Sequence, residues 1–184
     1  MKVKMDLHTH IWEAFNFQPP SLSIAEKVIA RIKESGIDGI AITDHHNWEW
    51  GVELGELIEE NFPGEVIIIP GWEVEVRPPS NPFDEYQVSE LLLPEGGVFR
   101  IYCHPGYYSP NIVIEENVHA IEIDNYGHNW HIRKQQVREV ADAHSLMTLE
   151  VSDAHVLENV GVRYSEVELE ELYRRAMPRD LWQG

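Results

Sequence analysis

Short β-rich runs alternate with amphipathic helical stretches along most of the chain. Residues 3–8 read as a first strand, and a polar, proline-containing loop follows over residues 16–20. Ser23 stands as a candidate N-cap, and Ile24, Ala25, Val28, Ile29 and Ile32 then recur at helical spacing until Gly36 stops the run. Residues 39–43 form a second strand. Residues 53–61 read as a helix rich in glutamate, closed by Pro63 and Gly64. The run 66–69 continues through Pro70 and Gly71 to Val76 as a third strand, which the proline is expected to end or bulge because it has no amide to donate. Residues 88–93, 99–102, 120–123 and 147–151 supply four more strands, with a helix over 130–144 before the last. Strands separated by crossover helices predict an α/β fold with a closed or nearly closed barrel of (β/α) units; a doubly wound open sheet is the alternative. With no repeat and no linker, residues 1–184 read as a single domain.

Composition narrows the class. At 184 residues, 43% hydrophobic with six tryptophans, the chain can fill a core without disulfides, and its one cysteine, Cys103, cannot form an internal one. Fourteen basic against 32 acidic side chains give 14 − 32 = −18. That charge repels phosphate backbones and disfavours general nucleic-acid binding unless a local cationic centre, such as bound metal, reverses it. The longest apolar stretches, 66–70 and 91–93, fall far short of the roughly 20 residues that span a bilayer, and the start of the chain has no signal-peptide core. The expectation is a soluble cytoplasmic protein with no membrane association, its oligomeric state left open.

Ten histidines among so many carboxylates direct attention to the residues at the C-terminal end of each strand. The first strand delivers Asp6, His8 and His10; the second Asp44, His45 and His46; the third Glu73; the fifth His104; the sixth Glu122 and Asn125; the seventh Asp153 and His155. In a parallel barrel those ends share one mouth, where active sites are built. Histidines two apart project to one face of an extended chain, so His8 and His10 can reach one ion, as can Asp153 and His155. A carboxylate such as Glu73 can bridge two ions. His119 and His144 lack this placement and read as ordinary capping or solvated residues. His128 and His131, with Trp130, form a loop after the sixth strand, where the structural reading is favoured over a substrate-contacting one. Trp48 and Trp50 wall the mouth or pack over a core edge, and Glu56, Glu59 and Glu60 read as a solvated helix face.

The ordered set Asp6-Leu7-His8-Thr9-His10, Thr43-Asp44-His45, Pro70-Gly71-Trp72-Glu73, His104-Pro105, Ile121-Glu122-Ile123-Asp124-Asn125 and Ser152-Asp153-Ala154-His155 resembles the PHP (polymerase and histidinol phosphatase) superfamily over nearly the whole chain. The resemblance implies a distorted (β/α)7, TIM-like barrel with two or three divalent metal ions (Zn, Mn or Fe) at the C-terminal ends of the strands, serving phosphoester hydrolysis. By motif, His8, His10, Glu73 and Asp153 would hold a first ion, with Glu73 bridging to a second held by His104. His45 and His155 would hold a third. Two positions depart from the pattern. The stretch after His10 lacks the usual Asp or His and offers only Glu13, and strand four carries Glu90 where a histidine is usual. Both are candidate ligands, Glu90 with the alternative that it faces outward and Ser89 inward.

The function expected is that of a metal-dependent phosphoesterase acting on a small phosphorylated metabolite or nucleotide through a metal-activated water. Glu73 and Asp153 would sit at the reacting centre, and His155 or His45 would protonate the leaving group. Asp6, Asp44, Glu122 and Asn125 would orient ligands, and Arg163 comes soon enough after the last motif to meet a phosphate. The alternative is a catalytically degenerate, metal-stabilised module that binds a ligand or protein partner. Hydrolysis of a C–N bond ranks lower, because Lys27, Lys33 and Lys134 fall in helices and none stands at a strand end.

Overall fold

Val3, Met5 and Leu7, alternate residues of the first run, enter one interior apolar cluster. In the computed structural model, which describes residues 1–81, 83–114 and 117–178, they belong to β1 (Lys2–Asp6) and its continuation. A single helical turn, α1 (Ile11–Ala14), precedes α2 (Leu22–Glu34), whose N-cap is Ser21 and not Ser23: Ser21 Oγ accepts from Ile24 N at 3.3 Å. Next come β2 (Gly39–Ile42), α3 (Trp48–Asn61), β3 (Ile67–Val76), β4 (Tyr86–Leu92), β5 (Gly97–Tyr102), β6 (Ala120–Asn125), α4 (Lys134–His144) and β7 (Met147–Val151). Helix α3 starts five residues before the expected Glu53 because Asn47 caps it, Oδ1 accepting from Trp50 N at 3.2 Å. Trp130 lies in a separate short turn ahead of α4. The final elements, β8 (Ser165–Glu168), α5 (Leu169–Arg175) and the two-residue β9 (Met177–Pro178), have patterns too short to announce themselves in the sequence.

The result is a mixed α/β fold whose sheet, in the order β7-β6-β5-β4-β3-β2-β1-β8, forms a nearly closed eight-stranded barrel; β9 adds to β5. Strands β1 to β3 and β5 to β7 run parallel. Strand β4 does not: it is antiparallel to both β3 and β5. The connection from β3 to β4 is too short for a crossover helix, so the chain reverses as a hairpin. The proline expected to end β3 instead marks a change of partner. Ile67–Pro70 pairs with β2, and from Gly71 the same strand pairs with β4. Glycine is required there, since a Cβ at Gly71 would lie 2.4 Å from the Glu90 carbonyl oxygen.

Helices α2 and α3 lay Ile24, Val28, Ile32, Leu54 and Ile58 against Ile40 and Ile42 of β2, and Trp50 joins this cluster. Val137 and Ala141 of α4 pack with Ile121 of β6 and Tyr102 of β5. The barrel closes at one end only. Beyond β1 and β7, Asp153 N donates to His8 O at 3.0 Å and His10 N to Ala154 O at 2.8 Å. Asp6 braces this seam, accepting from Ser152 N at 3.0 Å and Gly161 N at 2.9 Å, and from the Ser152 hydroxyl. Its expected place beside the ligands is thus corrected to a tie between β1 and the segment after β7. Burial raises its pKa to about 6. Asp6→Ala strands two buried amides, so it should lower the unfolding free energy by about 3 kcal/mol in urea denaturation; an unchanged denaturation midpoint would show that the seam closes without it.

Candidate metal centre

The inward parity of three strands continues straight into the mouth: Ile69 and Gly71 lead to Glu73, Ala120 to Glu122, and Leu149 and Val151 to Asp153. At the ends of β1 and β5 the backbone steps out of phase, and His104 takes a φ of 26°. Asp153, at φ 53°, is likewise in the left-handed region, where a non-glycine residue persists only when its surroundings enforce it.

Four groups meet at the centre. His8 Nε2 and His10 Nε2 are 3.1 Å apart. Asp153 Oδ1 lies 3.5 and 3.2 Å from them, and Glu73 Oε2 lies 3.6 Å from each. Ligands about 2.1 Å from a tetrahedral ion are about 3.4 Å from one another, so these separations suit a shared cation. Asp153 Oδ1 is buried and, though close to both histidines, has no hydrogen-bond donor on its line. His8 Nδ1 donates to Glu122 Oε1 at 2.7 Å, leaving its Nε2 lone pair for the centre. The donor set fits a divalent ion.

Glu73 divides its carboxylate. Oε2 faces His8, His10 and, at 3.4 Å, His45, while Oε1 lies 3.0 Å from His104 Nε2. A short parallel bridge between His45 and Glu73 sets that approach. On the outer side, His10, Glu13, His45 and His155 form a second group able to hold an ion. His10 cannot give both ring nitrogens to metals without becoming an imidazolate, so Glu13, His45 and His155 are the ligands proper to that position. The structure thus brings Glu13 to the place where the sequence lacked its usual acid. Asp44 puts it there: rather than orienting a histidine, its carboxylate accepts from Trp12 N and Glu13 N, both at 3.0 Å, and caps α1.

Two expected site residues lie elsewhere. Glu90 is buried and outward-facing, with Oε1 2.9 Å from Arg100 Nη2 and Oε2 accepting from Trp72 Nε1 at 2.8 Å. Ser89, paired with Glu73 across the strands, faces inward to Cys103 at 3.2 Å. Arg163 pairs with Asp124 on the outer side of β6, 3.4 Å away, and not with the cluster. His119 is tied to the Arg100 amide and held at about 4 by burial and by Arg100 and Arg175. His144 sits in the last turn of α4.

One participant is a residue for which the sequence favours a structural role over a substrate-contacting one. His128 Nε2 is 3.6 Å from Asp153 Oδ2, and its ring centroid is 4.9 Å from that of His104. Asn125 secures it by accepting from His128 N at 2.9 Å while donating to Glu122 and Asp153. Its signal in the sequence is position alone: it comes just after the end of β6, as the other site residues come after theirs.

The groups share their charge. Burial opposes the imidazolium of His10, yet Asp153 and Glu13 raise its pKa to about 9. Burial likewise opposes protonation of His8, and Asp153, Cys103, Glu73 and Glu122 outweigh it. Burial alone would raise Glu73 and Asp153, but His8 and the adjoining histidines hold both below the ordinary carboxylate range.

No family model and no curated protein matches the sequence. Solved structures do match it in fold. PsfC from Pseudomonas syringae PB-5123 superposes with a TM-score of 0.61 at 18% identity, over 87% of this chain and 79% of that one. A "putative metal-dependent phosphoesterase" from Bifidobacterium adolescentis gives 0.69 at 11% identity, over 94% and 96%. An amidohydrolase from Chromobacterium violaceum, with bound sulfate and no metal, gives 0.64 at 14% identity, over 95% and 98%. At these identities the likeness establishes the fold, one that metal-dependent hydrolases use. Among the described residues no helix is long and apolar enough to cross a membrane.

The geometry generates two expected outcomes. Glu90→Gln should leave metal stoichiometry unchanged, by elemental analysis, while destabilising the fold by about 3 kcal/mol through the uncompensated Arg100. Metal must displace the proton of His10, so affinity for a divalent ion should rise with pH up to about 9, with proton release detectable in weak buffer. Because the folded pKa of His10 lies above its unfolded value of 6.5, its contribution to the metal-free protein is complete below pH 6.5 and lost as pH rises through about 9. The melting temperature of the metal-free protein should fall across that window, and that of the metal-loaded protein should not.

Proposed function

We propose that the chain is a metal-dependent phosphoesterase that hydrolyses a small phosphorylated metabolite or nucleotide. The observation that carries this reading is the divided carboxylate of Glu73, with three histidines on one oxygen and His104 on the other. Such a carboxylate suits two neighbouring ions, the arrangement that clamps a phosphoryl group in two-metal hydrolysis. The first ion would rest on His8, His10, Asp153 and Glu73, the second on Glu73 and His104, and a third on Glu13, His45 and His155. Zn, Mn or Fe bound there would neutralise phosphoryl oxygens and make hydroxide available near neutral pH.

The chain's own groups do the rest. Glu122 and Asn125 fix the rings and carboxylates of the centre from beneath. His155 Nδ1 donates to the Asp153 carbonyl at 3.1 Å, which sets the ring and leaves Nε2 3.8 Å from Glu13 Oε2. His155 is nearly half exposed, so that nitrogen can meet a substrate, either completing the outer position or, as imidazolium, protonating the leaving oxygen. The acidic exterior favours a small substrate over a long polyanion.

A second reading, a metal-stabilised binding module, draws support from the second position, where Glu90 is engaged with Arg100 and only Glu73 and His104 remain of the expected ligands. C–N hydrolysis has less: Lys134, the lysine nearest in sequence to the sixth-strand motif, pairs with Asp124. Loading the protein with Mn²⁺, Fe²⁺ or Zn²⁺ and screening phosphorylated metabolites for phosphate release separates the readings. Hydrolysis should appear with metal and fall at least about a hundredfold in His10→Ala and Asp153→Asn, while His119→Ala and His144→Ala keep it. Wild-type protein that holds its metal and releases no phosphate from any ester would favour the module.

A further inference from the structure

Behind His104 the chain builds a cavity of about 210 Å³ that the proposed reaction leaves unused. Pro105 and Gly106, directly after His104, form one wall, and Pro110, Ile112, Trp130, His131, Arg133 and Gln136 the remainder. The two sites share the intervening rings. Tyr107 stands 5.2 Å from His104, 4.6 Å from His128 and 5.0 Å from His131, centroid to centroid. Gly106, at φ 98°, lets the loop press on the His131 carbonyl, where a Cβ would come within 2.7 Å, so the wall is held close to the metal cluster.

Its chemistry is that of an anion site with an apolar flank. Lys33, Arg77, Arg100, Lys134, Arg163, Arg174 and Arg175 pair with carboxylates; Arg133, like Lys2, Lys4, Lys27, Arg31 and Arg138, has no carboxylate partner among the described residues, and of these six it is the one that lines the cavity. In a chain of net charge −18 an exposed guanidinium without a carboxylate partner, lining a cavity, is a local attraction for anions. His131 also lines the cavity, with its Nε2 buried away from the open space. Trp130, 82% exposed, holds its indole 3.9 Å from the His131 ring, centroid to centroid, at a tilt of 37°.

We propose that this cavity is a second substrate subsite, in which Arg133 binds an anionic group, carboxylate or phosphate, carried on the alcohol side of the ester, while Pro105, Ile112 and Trp130 cover the carbon skeleton between. The substrate class is then a phosphate ester whose leaving alcohol bears a second anion. This rests on the reading of the metal centre as the phosphoryl site.

The test is calorimetric titration of the Mn²⁺-loaded protein with alkylphosphonates and with their analogues ending in carboxylate or in a second phosphonate, over a graded series of spacer lengths. At a spacer that matches the span, the doubly anionic probe should bind about tenfold tighter than its methyl-ended counterpart. Arg133→Ala should erase that preference and leave the methyl-ended affinity unchanged; Arg138→Ala, in the helix that follows but not lining the cavity, should retain it. Comparing the two termini identifies which second anion is preferred, and a preference for either supports the subsite. No preference at any length, or a preference that survives Arg133→Ala, overturns it. Phosphate release from simple esters with no anion preference would fell the subsite alone. A preference without any hydrolysis would fell the phosphoesterase reading alone, and failure of every probe to bind would fell both.

Discussion

The seam between the extensions of β1 and β7 is the constraint on which the site depends. His8 O and His10 N are bonded to Asp153 N and Ala154 O, so the backbone itself brings two histidines and an aspartate from opposite ends of the chain within reach of one point. At its other end β8 lies against β1, and among the described residues the hydrogen bonds from β8 to β7 are those of the Ser165 side chain with Glu150. Closure is therefore local to the mouth, and Asp6 makes it firm by holding Ser152 and Gly161 from inside. A loosened seam would widen the separations of 3.1 to 3.6 Å that make the four central groups a cation site.

That seam also determines the electrostatics. Taking Glu73, Asp153 and Glu122 out of water is costly unless positive charge accompanies them. In the metal-free protein the histidines supply it by holding protons, which is why His8 and His10 titrate high while Glu73 and Asp153 titrate low. A divalent ion would replace those protons with a charge fixed at the centre of the same four ligands. The backbone conformations of His104 and Asp153 are tolerable in this light, since each residue is held by partners on several strands.

Much of this was legible in the sequence, for an identifiable reason. A ligand at a strand's end inherits the inward parity of the apolar residues before it, and Glu73, Glu122 and Asp153 do so without interruption. The parts that were not legible depend on contacts between distant segments. Glu90 has an inward-facing alternative in Ser89 one residue away, and the choice is made by the register with β3 and by Arg100 on β5. Arg163 is near the last motif in sequence but turns outward to Asp124. Asp44 sits in a ligand motif yet serves α1, a helix too short for any periodicity to reveal. The antiparallel course of β4 was hidden because a hairpin and a crossover leave similar strand patterns, and only the length of the connection separates them.

The distribution of positive charge shows how so acidic a molecule can hold an anion. Seven of its lysines and arginines, Lys33, Arg77, Arg100, Lys134, Arg163, Arg174 and Arg175, are paired with carboxylates, which lowers the attraction the exterior offers to phosphate. Attraction must then be concentrated where carboxylates are outnumbered, and the mouth is such a place. There His8, His10, His45, His104, His128 and His155 surround Glu73 and Asp153, with Glu122 and Glu13 at the margins. Cations bound by those ligands would carry the local potential from near balance to positive. The negative exterior would then exclude extended polyanions while a small ester, smaller than the screening length of about 8 Å at physiological salt, could enter the reversed field.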